Sequence, residues 1–333
     1  MASAGHDRLD PVARPLVDRM SAGFPDLGRT VTSAAQARRI LAAQPQGPGG
    51  PPVGSVEDRT IPGPAGAPEL PVRVYLPDRP APYPTVVYLH GGGFALCGLD
   101  SHDATVRQLC AGSGAAFVSV DYRLAPEAPF PAAVDDAYAA LEWTAGHLDE
   151  AGGDPGALVV AGDSAGGCLA AVCAQLARER GGPRIALQVL LYPVLDAAQD
   201  TVSYRRNASG YFHTAAHMRW YWEQYLGSAG RTLARDPRVS PLCAADLRGL
   251  PPAYVLTAGC DPLCDEGEAY AAALRAAGVT VDRAHFPAMF HGFLGFTGLL
   301  ADSRAAMAGV TGAIAASGSY DRKNSGDLGG CAG

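Results

Sequence analysis

The stretch LVVAGDSAGG, residues 158–167, decides the fold of this chain. It begins with an apolar run of strand length, and the alanine-rich residues 168–172 that follow it have a helical composition. Ser164 therefore lies at a sharp corner between a strand and a helix, inside a Gly-x-Ser-x-Gly pattern. The bare pentapeptide also fits an ordinary turn in a chain with 41 glycines, but its flanks favour a serine nucleophile held above a sheet.

Strand and helix patterns alternate outward from this corner. Apolar or alternating runs predict further strands at 70–76, 85–90, 115–120, 185–193, 253–258 and 279–285. Helical patterns lie between them at 102–112, 134–145 and 266–277. This order is typical of parallel strands joined by crossover helices, so we predict an α/β fold with a mostly parallel central sheet and helices on both faces.

Two segments interrupt the alternation. Residues 1–50 contain two helical patterns and a Pro- and Gly-rich linker, which predict a helical cap segment laid on the main domain. Residues 203–240 are rich in Tyr and Trp; such clusters are usually core, but one that interrupts a sheet favours a helical cap over a pocket. The main domain is then expected in two parts, 51–202 and 241–316, and residues 317–333 are expected to form a disordered tail.

The composition restricts the class of protein. The 333 residues are 48% hydrophobic and 18% charged, which is typical of a soluble globular enzyme. The formal net charge of −7 argues against nucleic acid as a partner. No apolar run reaches the length of about 18 residues that a bilayer requires, so stable membrane insertion is not expected. The N-terminal residues lack a signal-peptide pattern, which favours a cytoplasmic protein, and a homodimer is a possible assembly.

Cysteine and lysine usage exclude several chemistries. None of the eight cysteines forms a C-x-x-C pair, so we expect reduced thiols rather than a zinc site or a disulfide framework. The single lysine, Lys323, lies near the C-terminus, which removes a phosphate-binding or Schiff-base lysine from the body of the chain. We expect neither a metal nor a cofactor.

A run of three glycines follows the strand predicted at 85–90. The sequence His90-Gly91-Gly92-Gly93-Phe94 can aim backbone N–H groups at one point, because no Cβ obstructs the approach. This arrangement predicts an oxyanion hole. A flexible or nucleotide-binding loop is the alternative, but no lysine follows it and the spacing differs from G-x-G-x-x-G. His90 is interpreted as a hydrogen-bonded framework residue rather than a base.

Three candidate catalytic residues occur in the order Ser164, Asp261, His291. Each follows a predicted parallel strand, and open α/β sheets place their sites at the carboxyl ends of such strands. His291 would take the proton of Ser164 as a general base, and Asp261 would hold the imidazole in the useful tautomer. Asp265 lies in the same turn as Asp261 and could instead cap the following helix. Asp163, beside the serine, is interpreted as a supporting or capping residue.

Five motifs in order resemble the hormone-sensitive-lipase-like branch, bacterial family IV, of the α/β-hydrolase carboxylesterases. They are HGGGF at 90–94, DYRLAPE at 121–127, GDSAGG at 162–167, DPLCDEG at 261–267 and HGF at 291–293. The resemblance implies an α/β-hydrolase fold with a helical cap, and it implies oxyanion donors at the amides of Gly92, Gly93 and Ala165. Cys264, where arginine is common in that motif, and the tail after Ala316 depart from the family pattern.

The expected function is hydrolysis of short- to medium-chain acyl esters through an acyl-Ser164 intermediate, with a small-molecule ester as the partner. Substrate contacts are expected from the aromatic residues Phe94, Tyr192, Tyr211, Phe212 and Phe293. A deacetylase or acyltransferase acting on a secondary metabolite would use the same chemistry. The fold also serves as a non-catalytic small-molecule receptor in relatives that have lost the catalytic histidine, but His291 is present here.

Overall fold

The computed structural model describes residues 8–44, 47, 49–149 and 152–318. Within these residues the strands are β1 (Ser55–Ile61), β2 (Leu70–Leu76), β3 (Tyr83–Leu89), β4 (Ala116–Val120), β5 (Gly153–Asp163), β6 (Leu187–Leu191), β7 (Ala253–Cys260) and β8 (Val281–Phe290). The helices are α1 (Arg14–Gly23), α2 (Ala34–Ala42), α3 (Leu99–Ser113), α4 (Ala132–Gly146), α5 (Ala165–Arg180), α6 (Val202–Arg206), α7 (Ala215–Leu226), α8 (Gly230–Leu233), α9 (Cys264–Ala276) and α10 (Ala301–Ala315).

The strands form one sheet in the order β1-β2-β4-β3-β5-β6-β7-β8. The pairs β1–β2 and β2–β4 are antiparallel, and every other neighbouring pair is parallel. In the centre of the sheet, Val86 of β3 is in register with Val159 of β5. The predicted α/β fold with a mostly parallel sheet is confirmed.

Helices cover both faces of the sheet, as expected for parallel strands. One hydrophobic cluster joins the sheet to α4, α5 and α9, and a second cluster joins its other face to α3 and α10. Strands β3, β4, β6 and β7 are consequently buried along their whole length. This two-sided burial explains why these strands read as nearly continuous apolar runs rather than as alternating patterns.

The two predicted cap segments hold the helices that lie outside this three-layer arrangement. Residues 8–44 form α1 and α2, while the first seven residues and positions 45, 46 and 48 lie outside the described residues. The second segment contains α7, α8 and nearly all of α6. Of the predicted tail, Ser317 is buried and residues 319–333 lie outside the described part of the chain. Every described helix is too short or too polar to cross a bilayer.

Candidate active site

Ser164 occupies a strained corner between β5 and α5. Its backbone has φ +55° and ψ −118°, a sparsely populated region that costs a residue with a side chain roughly 1–3 kcal/mol. Its N–H donates to the Leu191 carbonyl at 2.8 Å, which ties the corner to β6. At Gly166 a Cβ would overlap the backbone of Leu89, so only glycine lets α5 approach β3 this closely. The packing around the corner therefore maintains the strain and presents the hydroxyl at the carboxyl edge of the sheet.

The fold brings Ser164, His291 and Asp261 together from the ends of β5, β8 and β7. His291 Nε2 lies 3.0 Å from Ser164 Oγ, and His291 Nδ1 lies 2.6 Å from Asp261 Oδ2. Because an ionised carboxylate only accepts hydrogen bonds, Nδ1 carries the proton and Nε2 is free to accept from the serine hydroxyl. Asp261 is fully buried, and its other oxygen accepts from the N–H of Leu263 at 2.9 Å. This geometry suits proton transfer from the hydroxyl to the imidazole.

Asp265, the competing acid in the sequence, has a different partner. Its Oδ2 accepts from the N–H of Ser203 at 2.7 Å, at the start of α6. The Ser203 hydroxyl donates in turn to the Pro262 carbonyl at 2.6 Å. Asp265 therefore joins the cap to the turn that carries Asp261, and Asp261 is the carboxylate bonded to the imidazole.

Asn207 also holds this turn, and sequence reasoning missed it. Its buried side-chain amide donates to the carbonyl oxygens of Gly259 at 3.1 Å and Asp261 at 2.8 Å. The side chain of Arg8 donates to its amide oxygen at 3.4 Å. A single asparagine at the end of α6 thus fixes the backbone on both sides of Cys260. No sequence motif marks such a contact, because its acceptors are backbone atoms more than 50 residues away.

The glycine loop after β3 lies beside the serine corner. Gly92 has φ +117° and Gly93 has φ +60°, conformations that glycine adopts without strain. A Cβ on Gly93 would overlap the ring of Tyr221 in α7, so the cap packs directly on this loop. Ala165 is the first residue of α5, where backbone N–H groups lack partners within the helix. The residues whose amides are predicted to bind an oxyanion thus lie on the loop after β3 and at the first position of α5.

A buried cluster beneath the loop fixes its first glycine. Asp163 Oδ1 accepts from the N–H of Gly91 at 3.0 Å and from the Tyr88 hydroxyl at 2.7 Å. Burial acts to raise the pKa of Asp163, but the neighbouring His102 and the Tyr88 hydrogen bond lower this pKa to about 2. The ionised carboxylate is thus a structural acceptor for the loop. Burial lowers the pKa of His90 to about 3, and the neutral ring stacks on Tyr122 at 4.3 Å between centroids.

The five aromatic residues predicted to contact substrate lie at different distances from the reacting groups. Tyr192 packs edge-on against the His291 ring at 4.9 Å between centroids, and Phe293 lies 6.2 Å from Tyr192. Phe94 is buried under the cap and stacks on Tyr225 at 3.9 Å.

The other two predicted residues belong to the loop between α6 and α7. Tyr211 is buried with Arg14 of α1 over its ring, and Phe212 packs edge-to-face on Phe24 at 5.2 Å. Phe212 also lines a cleft of about 1330 Å³. Gly292, Phe296 and Met20 line the same cleft, so it reaches the residue next to His291.

Comparisons with known proteins identify the family of this chain. A family model described as an alpha/beta hydrolase fold matches residues 86–295. The chain is 48% identical over 270 residues to the carboxylic ester hydrolase LipN of Mycobacterium tuberculosis, covering 79% of this chain and 70% of LipN. It is 43% identical over 231 residues to an ethyl acetate hydrolase of Pseudomonas putida, covering 68% and 71% of the two chains. A hyperthermophilic esterase from the archaeon Pyrobaculum calidifontis has a similar structure, with a TM-score of 0.83, 39% identity and coverage of 93% and 98%.

Proposed function

The chain belongs to the hormone-sensitive-lipase-like branch of the α/β-hydrolase family, and from this premise we propose that it is a serine carboxylesterase with Ser164, His291 and Asp261 as its catalytic residues. The observation that carries the proposal is the pair of hydrogen bonds on His291, 3.0 Å to Ser164 Oγ and 2.6 Å to Asp261 Oδ2. Its substrates are short- to medium-chain acyl esters.

Acylation begins when Ser164 Oγ attacks the ester carbonyl carbon while His291 Nε2 takes the hydroxyl proton. Asp261 stabilises the imidazolium that forms. The negative charge on the former carbonyl oxygen is bound by the amides of Gly92, Gly93 and Ala165, and each such donor is typically worth about a hundredfold in rate. The intermediate collapses as His291 gives its proton to the leaving alcohol oxygen.

Deacylation repeats these steps with water. His291 removes a proton from the water molecule, the resulting hydroxide attacks the acyl carbon, and the proton then returns to Ser164 Oγ. The products are the alcohol and the carboxylic acid, and the enzyme regains its starting protonation state. Neither half-reaction needs a group beyond those of the chain, the ester and water.

Substrate size follows from the surroundings of the serine. Ser164 and His291 are only 6% and 7% exposed, and the aromatic cap covers the glycine loop, so a small acyl group fits best next to the nucleophile. The lining of the cleft beside Gly292 includes none of the three catalytic residues but comes within one residue of His291, and we propose this cleft as the entrance for the ester, with Phe212 and Phe296 as apolar walls. Medium-length chains would extend into this cleft.

The direct test replaces the nucleophile. We expect Ser164→Ala to lose at least about a thousandfold of the kcat for p-nitrophenyl acetate and butyrate, because the covalent route is removed. The wild-type enzyme should also be labelled stoichiometrically by a fluorophosphonate, and Ser164→Ala should not be labelled. Hydrolysis by the alanine variant at near wild-type rate would overturn the assignment, and a wild type that neither turns over nor labels would indicate a binding protein.

A reducing compartment is supported by the thiols. The seven cysteines within the described residues are all free, and five of them are buried. We place the enzyme in the cytoplasm, which cell fractionation tests, and sedimentation velocity distinguishes a monomer from a homodimer.

A further inference from the structure

His213 lies against the imidazole of His291 and comes from the cap rather than from the sheet domain. It belongs to the loop between α6 and α7, and its ring stacks on the His291 ring with 4.4 Å between centroids and an angle of 28° between planes. Tyr192 approaches the same imidazole edge-on. The proposed base is therefore held by ring contacts as well as by its two hydrogen bonds.

The His213 ring is itself fixed by three contacts. Its Nε2 lies 2.9 Å from Met218 Sδ, and since a thioether only accepts, Nε2 carries a proton and donates. Its backbone N–H donates to the Tyr211 carbonyl at 3.0 Å. The ring of Tyr221 lies nearly parallel to it, with an angle of 9° and 5.8 Å between centroids. His213 can thus act as a rigid support.

His213 is also a neutral support. Burial lowers the pKa of His213 well below its usual value, and charge on His291 or His217 acts in the same direction. The titratable groups that face it are His291 from the end of β8 and both His217 and Tyr221 from α7. A neutral ring leaves His291 free to become an imidazolium during catalysis, whereas a cation at this position would oppose that charge.

The support matters most after Ser164 is acylated. In the free enzyme two hydrogen bonds orient the His291 ring, but Oγ then carries the acyl group and no longer offers a proton to Nε2. Only Asp261 still bonds the imidazole, so the direction of Nε2 towards the leaving oxygen, and later towards water, depends on contacts with the ring faces. Small displacements of a catalytic group can cost up to about a hundredfold in rate.

We propose that His213 is a positioning residue, which holds the imidazole of His291 from the cap so that Nε2 stays aimed at the reacting oxygens. This inference rests on the proposed esterase function. It gives the cap a part in the chemistry beyond covering the pocket, because a cap residue orients the base.

The first arm of the test separates ring stacking from the other properties of histidine. We expect His213→Ala to lower kcat for p-nitrophenyl acetate about tenfold or more, with a much smaller change in KM. His213→Phe keeps a flat ring and should restore kcat to within about threefold of wild type. His147→Ala is the matched control, since His147 stacks on Trp143 at the same 4.4 Å but elsewhere in the fold, and it should leave kcat unchanged.

The second arm tests the charge. His213→Lys should shift the acid limb of the kcat/KM profile to lower pH, because a nearby cation disfavours the protonated form of His291, and the uncharged His213→Gln should leave that limb in place. Thermal unfolding of each variant confirms that it is folded.

The outcomes are separable. If wild type is active and fluorophosphonate-reactive while a folded His213→Ala retains its kcat, the inference is wrong and the esterase assignment stands. If wild type itself shows no turnover and no labelling, the proposed function fails first. A loss of kcat in the alanine variant that phenylalanine does not restore would also overturn a role in ring stacking.

Discussion

Gly93 lies in the loop after β3 with a φ of +60°, and the ring of Tyr221 occupies the space that a Cβ on Gly93 would need. The residue meets two independent requirements, a left-handed backbone and the absence of a side chain. The backbone amide proposed to bind the oxyanion depends on both, because any added atom must displace either the loop or α7. We therefore expect that a single methyl group on Gly93 is enough to slow catalysis at Ser164.

We expect Gly93→Ala to lower kcat about a hundredfold, the effect typical of losing one oxyanion donor. Steady-state kinetics with p-nitrophenyl butyrate measure it. Gly278→Ala is the matched control, because Gly278 has φ +82° with open space where a Cβ would be placed. The control incurs only the backbone strain, roughly 1–2 kcal/mol, and should keep its kcat. Equal kcat values for the two variants would contradict the proposed donor.

At the scale of elements, the five-residue helix α6 connects the cap to the turn after β7. Asn207 at its end donates to two carbonyls of that turn, and Ser203 within it bonds both Asp265 and Pro262. The position of Asp261 is thus set partly by the cap. A short helix that makes few hydrogen bonds of its own is stabilised here by side-chain contacts.

Asn207→Ala should reduce the free energy of unfolding by about 1–3 kcal/mol, because two buried hydrogen bonds are lost and the carbonyls of Gly259 and Asp261 keep only the longer bonds from Arg8 and from the Cys264 N–H, each 3.3 Å. We also expect kcat to fall several-fold as the turn carrying Asp261 loosens. Urea denaturation and kinetics give the two quantities. Gln175→Ala is the control: its buried amide donates to Pro241 and Tyr270, away from the catalytic groups, so it should lose similar stability at unchanged kcat. An equal loss of kcat in both variants would show that Asn207 has no particular role in positioning Asp261.

Helices and strands with a strong local sequence pattern could be predicted. Those whose limits depend on contacts with neighbouring elements were predicted less well. The strand predicted to end at 285 continues to Phe290 as β8, and it accommodates Pro287 because the pairing with β7 shifts register there, between the pairs Ala258–Phe286 and Cys260–Phe290. The helix α10 was not predicted, since its Ala- and Gly-rich sequence carries only a weak helical pattern. The residues Ser164, Asp261 and His291 could be chosen from motifs, whereas Asn207 and His213 act through folded contacts that no spacing reveals.

At the scale of the whole molecule, Glu266 is a buried carboxyl between α9 and the segment after β6. Its Oε2 accepts from the N–H of Asp196 at 3.0 Å, and its Oε1 has no hydrogen-bond partner among the described residues. Burial, reinforced by the charge of Asp196, raises the pKa of Glu266 well above its usual value. Between the unfolded pKa of Glu266 and its raised folded pKa, the folded state thus holds a proton that the unfolded chain has released.

Stability should consequently fall as the pH rises above the unfolded pKa of Glu266, about 4.3, and continue to fall up to its raised folded pKa. Glu266→Gln keeps an acceptor for the Asp196 N–H but has no group that titrates. The difference in free energy of unfolding, variant minus wild type, should therefore increase with pH. The limit for one proton is about 1.4 kcal/mol per pH unit. Urea denaturation of both proteins from pH 5 to 8 measures this, and a difference that stays constant with pH would show that Glu266 is already ionised in the fold.

Ser164, Asp261 and His291, the proposed catalytic residues, follow β5, β7 and β8 of one sheet. Strand β6 lies between β5 and β7. A slip of β7 against β6, or detachment of β8, would separate the imidazole from the hydroxyl before the rest of the fold is lost. Catalytic turnover therefore requires that strands β5 to β8, half of the sheet, keep their relative positions. During heating or chemical unfolding, enzyme activity should therefore be lost as soon as these strands separate. The spectroscopic signal of the helices should decrease only at a higher temperature or denaturant concentration.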